Sequence, residues 1–173
     1  MQGGFTLVEA LVALLLSAVA TEVITDTLTG VLKRSYITIQ VTRASDESER
    51  FASSFTQAGK SATGWAIYAD RAAYLADPVG NVAVNGNVLV FQDQLRDATL
   101  VTELFEYDPV AQTLARYENS LDQRRALLKK AVYSTGRTTA FAQDFGLVQA
   151  HWTVQSTYEL LDFEAYGKPL RMR

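Results

Sequence analysis

From Phe5 to Ala20 the chain is almost wholly apolar, and Glu9 is the only charged residue in the run. As a helix rising 1.5 Å per residue, Ala10 to Ala20 would span about 16 Å. That is short of a bilayer hydrocarbon core of roughly 30 Å. Continued to Leu32, the segment reaches about 42 Å and can cross, but it now includes Glu22 and Asp26. At about 100° per residue, Glu22, Thr25, Asp26, Thr29 and Lys33 fall on one face, and Val23, Ile24, Leu28, Val31 and Leu32 on the other. The pattern predicts a helix that is apolar all round at its start and amphipathic further along. Such a helix leaves lipid with a face still to be covered.

Beyond Lys33 the signal is mixed. Tyr36 to Thr42 alternates, which on periodicity alone reads as a strand. Ala44, Ser48, Phe51, Phe55 and Ala58 then recur every three or four residues, with Asp46 to Arg50 supplying a solvated outer face. After Gly59 the texture turns to short β-rich runs. Trp65–Ala69 reads as either a short strand or part of a connecting loop, and Asp77 to Asn81 as a turn. Val82–Val84 and Val88–Phe91 flank Asn85-Gly86-Asn87 and read as a hairpin, because Asn and Gly accept positive φ. A second hairpin joins Leu100–Tyr107 to Thr113–Glu118. Leu121–Val132, with Arg124, Arg125, Lys129 and Lys130, reads as a short basic helix. Leu147–Gln155 and Tyr158–Tyr166 form a last pair of strands. Helix followed by an antiparallel sheet of about five to seven strands gives an α+β fold. Phe51, Phe55 and Ala58 offer that sheet its apolar cover.

Composition narrows the function. The 173 residues hold one modest domain plus an appendage, at 48% hydrophobic and 20% charged. A net charge of −3 argues against a general nucleic-acid binder. With no Cys and a single His, thiol nucleophiles, disulfide scaffolds and Cys- or His-rich metal centres are excluded.

Glu9 is the anomaly. A carboxylate inside an apolar helix is costly in lipid, so it calls for a partner or a purpose, unless it rests at headgroup level by the positive end of the helix dipole. Gly4-Phe5-Thr6-Leu7-Val8-Glu9-Ala10-Leu11-Val12-Ala13-Leu14 resembles the N-terminal processing and methylation motif of type IV pilins and type II secretion pseudopilins. The resemblance implies a leader of residues 1–4, cut by prepilin peptidase between Gly4 and Phe5, and N-methylation of Phe5. It implies that Glu9 neutralises the terminal amine of a neighbouring subunit during assembly. Such a pair favours one axial stagger, since slipping the register strands both charges.

The resemblance also implies the architecture. One long helix runs from about Phe5 to Gly59, with residues 5–32 embedded in the membrane and used for assembly. Residues 33–60 lie on a β-rich head of residues 61–173. Gly30 is its weakest point, since no proline interrupts it. Length, separated hairpins and absent Cys resemble a minor pseudopilin, loosely of the J type, more than a major fibre subunit. Expected partners are other pilin or pseudopilin subunits, prepilin peptidase, the inner-membrane assembly platform and membrane lipid. No nucleic acid, cofactor or metal is expected. The expected location is the bacterial inner membrane, single-pass, with the head in the periplasm and assembly into a pseudopilus or pilus.

Two features depart from this pattern. The leader Met1-Gln2-Gly3-Gly4 lacks the usual Lys or Arg, which a start upstream of Met1 would restore. Lys33 and Arg34 lie at the far end, and the positive-inside rule alone would turn the head inward. A rival processing site also exists. Ala18-Val19-Ala20 is an A-x-A sequence after an apolar run, so signal peptidase cleavage before Thr21 would release a soluble binding protein.

Elsewhere the candidate chemistry is thin. His151 beside Trp152 has no second His and no nucleophile signature, and alternation puts the two on opposite sheet faces. Asp93, Asp97, Glu103, Glu106 and Asp108 lack calcium-loop spacing. Arg124, Arg125, Lys129 and Lys130 read as a solvated helix face, and Lys168, Arg171, Met172 and Arg173 as an exposed tail. The sequence offers no enzyme site.

Overall fold

The computed structural model describes residues 6–94, 100–118, 124–155 and 160–168. One helix, α1, runs without interruption from Leu7 to Ser61. It passes through both Gly30 and the alternating stretch Tyr36–Thr42, so helical hydrogen bonding overrides the local β pattern there. The threonines of its first part turn inward for partners. Thr21, Thr25, Thr27 and Thr29 each donate a hydroxyl to the carbonyl four residues back, at 2.7–2.8 Å. This gives each hydroxyl a partner within its own helix.

The chain divides into two compact units, Met1–Val41 and Thr42–Arg173. In the first, side chains from Leu7 to Tyr36 are exposed all round the helix. In the second, Ala44, Ser48, Phe51, Phe55, Ala58 and Gly59 form one buried stripe of α1.

That stripe covers two antiparallel sheets, where the sequence suggested one. The strands are β1 (Gly64–Tyr68), β2 (Asn85–Gly86), β3 (Val88–Gln94), β4 (Leu100–Asp108), β5 (Thr113–Glu118), β6 (Arg124–Lys129), β7 (Ala131–Val132), β8 (Phe141–Asp144), β9 (Leu147–Gln155) and β10 (Leu160–Gly167). One sheet has the order β1-β3-β4-β5-β6. The other runs β10-β9-β8-β2, with β7 also paired to β9. Phe51 and Phe55 join them. Phe51 lies edge-on to Phe105 of β4 at 5.8 Å and to Trp152 of β9 at 4.7 Å. Phe55 meets Phe91 of β3 at 5.5 Å and stacks on Phe141 of β8 at 6.2 Å.

A short helix, α2 (Arg71–Ala76), starts at Asp70, whose carboxylate accepts the Ala73 N–H at 2.8 Å. Its Tyr74 packs on the other face of the first sheet, against Tyr68, Val88, Val90, Leu104, Ala115 and Tyr117. Both faces of β3 are therefore covered: Val88 and Val90 point one way, Leu89 and Phe91 the other. This is why its sequence reads as a continuous apolar run.

Two predicted elements are replaced. Val82–Val84 and Val88–Phe91 are not a hairpin. Asn85 and Gly86 pair with Ala142 and Phe141, while β3 pairs with β1 and β4. Gly86 is needed for close approach, not for a turn, because an added Cβ would overlap the Tyr68 carbonyl. Asn87 then ties the crossing together. Its N–H donates to the Tyr68 carbonyl at 3.1 Å, its carbonyl accepts from Tyr107 at 2.8 Å, and its side-chain oxygen accepts the Ala140 N–H at 3.2 Å. The predicted basic helix over 121–132 is replaced, from Arg124 onward, by two strands: β6 pairs with β5, with Leu114 opposite Leu128, and β7 pairs with β9, while residues 121–123 lie outside the described residues. Pairing across the sheet outweighs the local helical pattern.

Candidate functional site

Glu9 lies in the first turn of α1 and is held there by Thr6. The Thr6 N–H and the Thr6 hydroxyl both donate to Glu9 Oε2 at 2.9 Å, and the Glu9 N–H reaches back to the Thr6 hydroxyl at 3.4 Å. The Thr6 carbonyl accepts the Ala10 N–H at 3.1 Å, the first bond of the helix. This is a capping box: threonine at the N-cap, glutamate three residues on, each satisfying donors that a helix start leaves open. The spacing Thr6-x-x-Glu9 carries that signal, and the sequence reading passed over it in favour of a role for Glu9 between subunits. Gly4 and Phe5 lie outside the described residues.

The capping box fixes where the carboxylate sits. It holds Glu9 at the very start of the helix, exposed, with the apolar side chains of Leu7, Val8 and Leu11 around the same turns at 79%, 67% and 59% exposure. The helix contains a window with mean hydropathy 2.2 and is long and apolar enough to cross a membrane. An anionic group fastened to the start of a stretch that is otherwise apolar as far as Ala20 can receive a cation presented from outside the chain. Two of its hydrogen bonds already come from Thr6, so the carboxylate is oriented before any partner arrives.

The other predicted residues do different work. His151 is on β9, only 8% exposed, with its Nε2 at 2.9 Å from Gln149 Oε1 and its Nδ1 at 3.8 Å from Glu164 of β10. Burial, then the Arg137 guanidinium, hold its pKa below the ordinary imidazole value, with Glu164 opposing them. Trp152 points the other way and is buried under α1. Both neighbours are thus buried, on opposite faces.

Glu103 pairs with Arg116 at 2.9 Å, and Arg116 also donates to Ser54 of α1 at 3.3 Å. Glu106 accepts from the Tyr117 hydroxyl at 2.7 Å, which in turn accepts from Arg71 at 2.9 Å. Asp108 closes its own turn by accepting the Val110 and Ala111 N–H groups, each at 2.9 Å. These carboxylates hold strands and turns together and do not converge on a common point. Among the described residues, no three His, Asp or Glu side chains gather as metal ligands. Asp93 is half-buried on β3, and Asp97 lies outside the described residues. Arg124 and Arg125 stand on β6, and Lys129, Lys130 and Lys168 are exposed. Arg171, Met172 and Arg173 lie outside the described residues.

Comparison with known proteins bears on the N-terminal segment. Residues 1–21 match the family model described as the prokaryotic N-terminal methylation motif. This span contains Gly4, Phe5, Thr6 and Glu9, and it supports a type IV pilin-like family whose N-terminal helix is anchored in a membrane. No curated protein matches the chain, and no solved structure does.

Proposed function

We propose, from the type IV pilin-like character of its methylation motif, that the chain is a minor pseudopilin-like structural subunit of a type II secretion or type IV pilus machine. In this reading it is a structural part, not an enzyme. Prepilin peptidase cuts between Gly4 and Phe5, and Phe5 becomes the methylated mature terminus. Residues 5–32 anchor the precursor in the inner membrane, with the head in the periplasm, until the subunit joins a pseudopilus or pilus.

The observation that carries the reading is the Thr6–Glu9 capping box inside the matched segment. Lipid tails are as apolar as leucine, so helix faces leaving the bilayer gain little from apolar contact and one axial register is barely favoured over another. A charge pair within the bundle does discriminate, because any slip leaves both charges unpaired in a dry environment. Cleavage after Gly4 creates the needed cation, the α-amine of Phe5, which stays charged after methylation. Glu9 of one subunit receives that amine from its neighbour, and Thr6 keeps the carboxylate aimed at the helix start. The exposed Glu22 and Asp26 further along lie on the helix face opposite exposed Val23, Ile24 and Leu28.

Glu9→Val tests this directly. The variant inserts in the membrane and is processed after Gly4, but it is recovered in sheared or detergent-extracted fibres at a small fraction of the wild-type level. Normal incorporation of Glu9→Val would contradict the role given to Glu9.

A further inference from the structure

Lys33 and Arg34 are the first Lys or Arg residues in the sequence, and they stand where its apolar run ends. Both are exposed, as are Val31 and Leu32 just before them and Tyr36 just after. At about 100° per residue, Lys33, Arg34 and Tyr36 spread over about 160° of the helix circumference within a single turn. They form a belt round the helix, not a stripe along it.

Distance along α1 gives the level of this belt. From Leu7 it is about 39 Å to Lys33 and about 44 Å to Tyr36, at 1.5 Å per residue. A bilayer with its headgroups measures about 40–45 Å. With the polar Thr6–Glu9 start at one surface, the belt reaches the headgroups of the other. At that level a Lys or Arg stem lies along acyl chains while its cation meets phosphate, and a tyrosine ring rests between the apolar and wet layers. In the orientation proposed above, two cations on the head side run against the positive-inside bias. Topology therefore gives no reason for them at this end, and a phosphate contact does.

We infer that Lys33, Arg34 and Tyr36 bind anionic phospholipid, with the two cations on headgroup phosphates and the phenol beside them. The inference rests on the membrane-anchored reading of α1 and names the lipid class met where the helix leaves the bilayer. The Arg34 guanidinium suits two phosphate oxygens at once, whereas the Lys33 ammonium acts as a point charge.

The test uses the full-length chain in phosphatidylcholine vesicles that hold a trace of spin-labelled phosphatidylglycerol or spin-labelled phosphatidylcholine. The fraction of motionally restricted label gives the relative affinity of the helix for each headgroup. The wild type prefers phosphatidylglycerol by about fivefold, the factor that one cation near an anionic surface supplies. Lys33→Gln with Arg34→Gln brings the two lipids to parity. Lys33→Arg with Arg34→Lys keeps the preference, and so does Lys60→Gln, at an exposed position in the head. A preference that survives the double Gln variant, or one lost in the Arg–Lys exchange, overturns the inference. So does a preference abolished by inorganic phosphate but not by sodium chloride of equal ionic strength, which would mark a site for free anions. Sedimentation of the same vesicles separates the two readings. A chain left in solution sinks the membrane anchor itself, whereas a vesicle-bound chain at parity sinks the belt alone.

Discussion

The indole nitrogen of Trp152 donates to the Ser48 hydroxyl at 3.1 Å, in a site where both residues are 1% exposed. The bond fastens α1 to β9, at the point where Phe51 meets the same indole edge-on. Ser48→Ala leaves a buried N–H with no acceptor, which costs about 1–3 kcal/mol. Thermal unfolding of the full-length chain in detergent should show the loss, while Ser53→Ala, at an exposed helix position, leaves the transition where it was.

Phe55 touches aromatic rings of both sheets, so it should be the costliest single truncation. Phe55→Ala removes the ring that meets Phe91, Phe105 and Phe141. A loss of about 3–5 kcal/mol is expected, read as a lower denaturant midpoint for the head. A loss under about 1 kcal/mol would mean that the helix does not hold the two sheets together.

Two glycines of the same helix should respond with opposite signs. A Cβ on Gly59 would stand 2.8 Å from the Gly167 Cα, against backbone that cannot swing aside, whereas nothing lies within 4 Å of one on Gly30. Gly59→Ala therefore destabilises the head by about 1–3 kcal/mol, despite alanine's better helix propensity. Gly30→Ala makes no clash in the isolated chain and favours the helix by roughly 1 kcal/mol. Melting curves of the two variants decide it.

His151 should make the head sensitive to mild acid. Its folded pKa lies below the ordinary value of 6.5, so the unfolded chain binds a proton more readily than the folded one. The resulting stability is present above about pH 6.5 and is lost as pH falls below it towards the folded value. The melting temperature of the wild type should fall from pH 7 to pH 5 by more than that of His151→Gln. Equal slopes would place the acid sensitivity elsewhere.

Local pattern revealed what local physics decides. The period of Ala44, Ser48, Phe51, Phe55 and Ala58 marked the buried helix face, because each lies one turn from the next. The β4–β5 and β9–β10 pairings were legible from apolar runs and turn residues. What stayed hidden depends on distant partners. Asn85-Gly86 looks like a hairpin turn, yet Gly86 is there because the Tyr68 carbonyl comes from eighteen residues away in the chain to lie against it. Arg124–Lys129 looks helical, yet β5 draws it into a strand. At the candidate site the reverse holds. Glu9 stood out as a charge in an apolar run, while its local partner Thr6 was in plain view three residues earlier and carried the helix-start signal.

The most direct measurement is the mass of the N-terminal peptide of the native, membrane-extracted chain. The account predicts a peptide beginning at Phe5 with one methyl group on its amine, made by a cut after Gly4. A chain that still carries Met1-Gln2-Gly3-Gly4, or one that begins at Thr21 and lacks Glu9 altogether, would contradict it.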